Sequence, residues 1–281
     1  MLRSEESKNF SRAADCFLAH FGLNHKLSPA RDELFALYRA FTSLPYENVS
    51  KIIRTYAPRR EGPPEFRTPV EVLEGYLTSR LGGTCFSLTH CLYTLLGYCG
   101  FSVWRVLGDM RHGPNIHCAV MVSLEGAEYL CDAGYLLPAP LPIDPRGKSV
   151  LKCPLYTYLL EPDKRMPETF NLYTLTHSGE SRWRYRIRSR PAGDREFEQH
   201  WRSSFSAPMN HQLLLSRNLE DAQVYVHKNH LRLNRPDGRK NSNIRASLGP
   251  SIEELFGIEA ALVEQARELV EKAREVERMA E

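Results

Sequence analysis

The hydrophobic period of this chain changes once, near Gly100, and that change restricts the fold more than any other feature of the sequence. Before it, apolar residues recur at three- and four-residue spacing over residues 13–21, 31–44 and 85–98. That is the period of helices burying one stripe each. Pro45 ends the second of these, because a proline disfavours helix in the residue before it. A further helix is predicted over residues 69–79, with Glu71 and Glu74 near its start. After Gly100 the period is that of strands, over residues 102–107, 116–124 and 127–133, which are rich in Val, Met, Cys and Tyr. Pro138, Pro140, Pro142 and Pro145 mark an irregular connection, and strand-like segments continue to about residue 190. The last third holds an apolar stretch at 211–215, a strand-like 222–227 and helical segments from Ser251. An α+β fold is predicted, with a helical part at 1–100, a β part at 101–200 and a mixed part at 201–281.

A chain of 281 residues, 42% hydrophobic and 25% charged, can bury a large core without disulfide staples. Its 37 basic and 34 acidic residues leave a net charge of +3, too small a footprint to imply nucleic acid or an anionic membrane as partner. No run approaches the roughly 18 apolar residues of a membrane span, and the first twelve residues lack the apolar stretch of a secretory signal. The seven cysteines never form Cys-x-x-Cys and have no closely spaced histidine partners. The expectation is no metal site and reduced thiols in a cytoplasm. Residues 182–188 alternate arginine with Trp, Tyr and Ile, read as a strand with one solvated basic face. Leu262, Ala266, Leu269, Ala273 and Val276 form a narrow seam on a charged C-terminal helix. Packing on its own chain is the preferred reading, and a homo-oligomer contact the alternative.

Three residues carry chemistry. Cys85 follows Gly82-Gly83-Thr84 at the first turn of an apolar helix, where unpaired N–H groups and the helix dipole favour a thiolate. The two glycines would let backbone approach a substrate closely. If the turn at Glu125-Gly126 is a two-residue hairpin loop, paired positions sum to 251, so His117 lies opposite Gly134 and Ala119 opposite Asp132. Asp132 then sits diagonally across from His117 on one face, and a one-residue bulge would separate them. Carboxylate orienting imidazole, and imidazole pairing with a thiolate, is the logic of a cysteine triad. Taken singly, the three also read as a buried thiol, a core histidine and a turn carboxylate.

Pro45-Tyr46-Glu47-Asn48-Val49, Gly82-Gly83-Thr84-Cys85-Phe86, His117-Cys118-Ala119-Val120 and Tyr129 to Tyr135 occur in an order that resembles the arylamine N-acetyltransferases. Weaker likenesses follow at Ser204 to Pro208 and Glu254 to Ile258. The resemblance implies a helical bundle, a central β-barrel and a C-terminal α/β lid around a cysteine-protease-like core. It implies that Cys85 is the acyl-accepting nucleophile, His117 its base and Asp132 the orienting acid. It implies Glu47, Asn48, Arg80, Gly82 and Gly83 as structural support, and Gly134, Tyr135 and Leu136 along the acyl-coenzyme A. That thioester would be a co-substrate rather than a resident cofactor, and the acceptor a small amine or related molecule.

The departures from the family pattern are local. Leu81 stands where the family has the arginine that pairs with the glutamate, and Arg80 sits one place early. Thr84 replaces an aromatic residue, Ser87 and Thr89 replace a glutamate and an asparagine, and Leu136 replaces a glycine. Leucine at 81 and 136 would make the acyl entrance more apolar and favour a longer acyl group. The predicted activity is ping-pong acyl transfer. The alternatives are a triad hydrolase, transglutaminase-like or amide synthase enzyme, and a binding protein that keeps the fold without turnover.

Overall fold

The computed structural model describes residues 4–24, 29–57, 62–176 and 178–280. In chain order, the first part contains α1 (Ser4–His20), α2 (Arg31–Phe41), a two-residue β1 (Tyr46–Glu47), α3 (Val49–Tyr56), α4 (Pro69–Ser79) and α5 (Cys85–Tyr98). Local chemistry sets the ends of α4 and α5. The Thr68 hydroxyl accepts from the Glu71 N–H and the Glu71 carboxylate accepts from the Thr68 N–H, with Pro69 at the first helical position. Helix α5 stops at Gly100, whose φ of +87° lets Gly100 and Phe101 N–H groups turn back to the Gly97 and Leu96 carbonyls. Phe17, Leu34, Leu37, Phe41, Leu73 and Leu92 form the core of this bundle.

The second part is an antiparallel sheet of β2 (Ser102–Met110), β3 (Gly113–Leu124), β4 (Ala127–Cys131), β5 (Leu141–Pro142), β6 (Ser149–Lys152), β7 (Thr157–Pro162), β8 (Thr169–Leu175) and β9 (Ser181–Arg188). The order is β5-β4-β3-β2-β9-β8-β7-β6, and the edge strands β5 and β6 approach each other to leave a nearly closed barrel. Tyr185 and Ile187 on β9 fill the barrel core, and Arg186 and Arg188 on the same strand each donate to Asp109 at 3.0 Å. The predicted basic face is thus partly neutralised by a carboxylate of its own chain.

The third part contains α6 (Asp194–Ser203), β10 (Leu214–Asn218), β11 (Gln223–His227), β12 (His230–Arg235), β13 (Gly238–Asn243), α7 (Leu248–Phe256) and α8 (Ala260–Ala280). Its sheet runs β1-β10-β11-β12-β13, so Tyr46 and Glu47 add an edge strand from the first part. Val49 and Ile52 of α3 are buried in the core that also holds Val263, Ala266 and Val270 of α8. Residues 46–56 therefore pack with the C-terminal elements. The first half of the predicted C-terminal seam is consumed within the chain, with Leu262 and Leu269 flanking the buried stripe. Its far end is open, Val276 being 68% exposed. Among the described residues no helix is long and apolar enough to cross a membrane.

Candidate active site

The β3–β4 hairpin turns through Glu125 and Gly126, both at positive φ (+52° and +76°), as the right-handed twist of the flanking strands requires of a two-residue loop. Leu124 pairs with Ala127 and Val120 with Cys131, the register in which positions sum to 251. No bulge intervenes between these pairs. Asp132, fully buried, consequently meets His117, 3% exposed, with 2.6 Å between Oδ2 and Nε2. The other carboxylate oxygen accepts from the Tyr135 N–H at 2.8 Å, which fixes the rotamer. The ring of Tyr185 packs on the imidazole with centroids 4.6 Å apart.

Cys85 is the first residue of α5, after an extended Thr84 whose side chain makes no cap. The first-turn N–H groups are thus open toward the thiol. With Nε2 committed to Asp132, Nδ1 is the ring nitrogen left for the Cys85 thiol, whose thiolate the nearby imidazole favours. Cys118, on the opposite face of β3 from His117, belongs to the apolar cluster against which Cys85 packs. Thr89, one turn along α5, donates to the Cys118 carbonyl at 3.1 Å. The Cys118 thiol hydrogen bond is the largest influence on Cys85. It outweighs burial and, with the His117 hydrogen bond and the charges of His117 and Lys51, brings the thiol well below its ordinary range. Burial pushes the His117 imidazolium down, but the Asp132 carboxylate and the Cys85 thiolate outweigh it and lift the group to about 10. The same geometry therefore favours a thiolate–imidazolium pair around neutral pH. Lys51 is itself buried, donates to the Ser204 carbonyl and hydroxyl at 2.8 Å, and is lowered by that burial to about 8.

A pH dependence follows. A free thiol gains reactivity about tenfold per pH unit below its ordinary pKa near 8.5. Cys85 is expected to react with iodoacetamide at a rate that changes less than about threefold between roughly pH 6 and 9, because its thiolate is already formed. It should also label ahead of Cys16 and Cys153, the other cysteines that are not buried. Peptide mapping after limited alkylation checks both; a tenfold rise per pH unit at Cys85 would mean that the ion pair does not form.

One support residue lies elsewhere than the resemblance placed it. Arg80 does not reach Glu47. It caps α4 in the left-handed conformation (φ +56°), and its guanidinium stacks on the Tyr76 ring and contacts His20. Arg67, which sequence reasoning passed over, takes that place. It lies 3.4 Å from the buried Glu47 carboxylate and donates to Ser50 Oγ, the Gly82 carbonyl and the Glu71 carbonyl. Ser50 completes the cluster by donating its N–H and hydroxyl to Glu47 at 2.8 and 2.6 Å. The cation missing at Leu81 is thus supplied from another loop. Asn48 spans to the third part, donating to the Met209 and Gln212 carbonyls and accepting from the Leu214 N–H.

The glycines of the nucleophile segment serve the chain's own packing. A Cβ at Gly82 would strike the Pro45 carbonyl, and one at Gly83 would strike Ser87 Oγ. At Gly134 a Cβ would fall 2.7 Å from that of Cys85, so this loop crosses the nucleophile at a distance only glycine permits. Leu136 keeps the left-handed backbone expected of a glycine (φ +59°), yet its side chain is 3% exposed. Leu81 packs on the C-terminal core. Neither leucine lines an open entrance, and the inference of a greasier acyl channel loses its basis. Among the described residues no group of His, Cys, Asp and Glu could hold a metal ion.

A family model described as N-acetyltransferase matches residues 33–263, most of the chain. The chain belongs to the arylamine N-acetyltransferase family. With membership comes the activity class, acyl transfer. An uncharacterized acetyltransferase of Bacillus subtilis (strain 168), YvcN, is 25% identical over 197 residues, covering 66% of this chain and 75% of that protein. The arylamine N-acetyltransferase of Mycobacterium abscessus has the same fold, with a TM-score of 0.76 at 21% identity, over 96% of this chain and 99% of that one. The Mycobacterium marinum enzyme, solved in complex with CoA, superposes with a TM-score of 0.75 at 18% identity, over 91% and 97% of the two chains. These likenesses fit the helical bundle, barrel and mixed C-terminal part described above.

Proposed function

We propose that this protein moves an acyl group from acyl-coenzyme A through Cys85 to a small amine-type acceptor by a ping-pong route. The observation that carries this reading is the buried Asp132–His117 hydrogen bond beside Cys85, which the Gly134 loop crosses next to Asp132. In the first half-reaction the Cys85 thiolate attacks the thioester carbonyl. A new carbon–sulfur bond forms at Sγ, the bond to the coenzyme sulfur breaks, and the leaving thiolate takes the proton held on His117. In the second, the amine attacks the acyl-cysteine while His117, neutral again, accepts its proton, and Cys85 leaves as thiolate. One thioester replaces another in the first step, so little driving force is needed and positioning carries most of the catalysis. Asp132 holds the imidazole with Nε2 protonated, leaving Nδ1 to face the sulfur. Gly134 and Tyr135, on the loop that crosses Cys85, would lie along the acyl thioester.

The CoA complex of the M. marinum enzyme supports the choice of donor. The seven cysteines, all free thiols, support a reducing compartment such as a cytoplasm. Initial rates with acetyl-coenzyme A and an arylamine or hydrazine, each varied at fixed levels of the other, test the route. Parallel double-reciprocal lines are expected. Intersecting lines would mean a ternary complex and no acyl-cysteine, and thioester loss independent of any amine would mean a hydrolase.

A further inference from the structure

Of the buried thiols Cys91, Cys99, Cys118 and Cys131, Cys118 lies in the apolar cluster against which Cys85 packs. Cys91 points at the Pro69 carbonyl, and Cys131 packs in the helical core. Cys118 is held from two sides. Its strand is pinned by the Thr89 hydroxyl on its carbonyl at 3.1 Å, and its own Sγ lies 3.4 Å from that hydroxyl. Cys85, one turn before Thr89 on the same helix face, lies over the same stretch of β3, with Sγ 3.9 Å from the Ile116 carbonyl. Cys85 also packs against the apolar cluster that holds Cys118, which sets the nucleophile beside the second thiol. Cys85 is half-buried and open to a small reagent, whereas Cys118 is buried among Phe86, Leu107, Phe197 and Trp201.

We propose that Cys118 is a resolving thiol, which captures a peroxide-oxidised Cys85 as an intramolecular disulfide and so makes the site a reversible oxidation site. The inference rests on reading Cys85 as the nucleophile. In the first step the Cys85 thiolate attacks hydrogen peroxide. The O–O bond breaks, a sulfenic acid forms, hydroxide leaves, and sulfur loses the two electrons that peroxide gains. In the second, the Cys118 sulfur attacks the Cys85 sulfur. The S–S bond forms, the S–O bond breaks, and the departing hydroxide leaves as water with the Cys118 proton. Reduction by a dithiol restores both thiols. Without a resolving partner the sulfenic acid can go on to the irreversible sulfinic acid.

The test treats the purified full chain with hydrogen peroxide, quenches with an alkylating agent under denaturing, non-reducing conditions, and maps the peptides by mass. A cross-link between the Cys85 and Cys118 peptides is expected, with the mass of two hydrogens lost and both thiols recovered after dithiothreitol. Acyl-transfer rate should fall in step with the cross-linked fraction and return with reduction. In Cys118→Ala and Cys118→Ser the cross-link should vanish and Cys85 should gain two oxygens instead. Sulfinic acid at Cys85 of the unaltered protein without a cross-link would overturn the proposal, as would a cross-link from Cys85 to any other cysteine. The mass readout needs no turnover. A chain that cross-links but accepts no acyl group upholds this inference and defeats acyl transfer, and the converse result does the reverse.

Discussion

Asp132→Asn is expected to lower acyl-transfer turnover by about 10⁴-fold, the size of effect this change has in comparable triads. The Asp132 carboxylate uses both oxygens, Oδ1 on the Tyr135 N–H and Oδ2 on His117 Nε2. The amide can keep its oxygen on Tyr135 only by turning its NH₂ toward the imidazole. Nε2 must then accept, the ring proton moves to Nδ1, and that nitrogen can no longer take a proton from the thiol. The carboxylate that, together with the Cys85 thiolate, outweighs burial at His117 is lost as well, so the thiolate–imidazolium pair discharges. A single-turnover assay of coenzyme thiol release, alongside a thermal melt, separates this from unfolding. A folded variant within about threefold of the parent rate would show that Asp132 only holds the turn at Tyr135.

The second large effect is on stability. Arg67→Met is expected to cost about 3–5 kcal/mol, because it leaves the fully buried Glu47 without its cation. Ser50 can still donate to that carboxylate, but among the described residues no second cation pairs with it. The Gly82 and Glu71 carbonyls, which receive the guanidinium, also lose their donor. Urea midpoints for Arg67→Met, Glu47→Gln and the double variant check it. The double variant should be less destabilised than the sum of the singles, since removing both charges leaves neither stranded. Strict additivity, or a loss under about 1 kcal/mol for Arg67→Met, would mean that the pair contributes little.

What the sequence discloses and what it hides divide along physical lines. The switch of period at Gly100 is legible because each apolar stripe repeats several times within its own element. The meeting of His117 with Asp132 is legible for a related reason. A two-residue turn allows one register, and fifteen residues of chain then determine which side chains share a face. Arg67 is hidden because it lies just before α4 in a stretch with no periodicity, and its partner is twenty residues away across a loop. Arg80 misleads by adjacency, since the left-handed cap of α4 turns it away from the nucleophile segment. Cys118 reads as one more apolar residue of a buried strand, and only the seating of α5 on β3 reveals its contact with Cys85. Strand β13 escapes notice because every residue from Arg239 to Asn243 is polar, and β12 because its apolar face is only two residues long, Leu231 and Leu233 on the C-terminal core. Helix α3 is short, and its stripe, Val49 and Ile52, serves a core built from residues two hundred positions later.

The central claim is that Cys85 carries the acyl group between donor and acceptor. Intact-protein mass spectrometry after incubation with acetyl-coenzyme A and longer acyl thioesters, without acceptor, tests it most directly. One acyl group per chain is expected, mapped to the Cys85 peptide, discharged by an added amine and absent from Cys85→Ala. An unmodified chain in the presence of every donor, or an acyl group carried at any residue other than Cys85, would contradict the account.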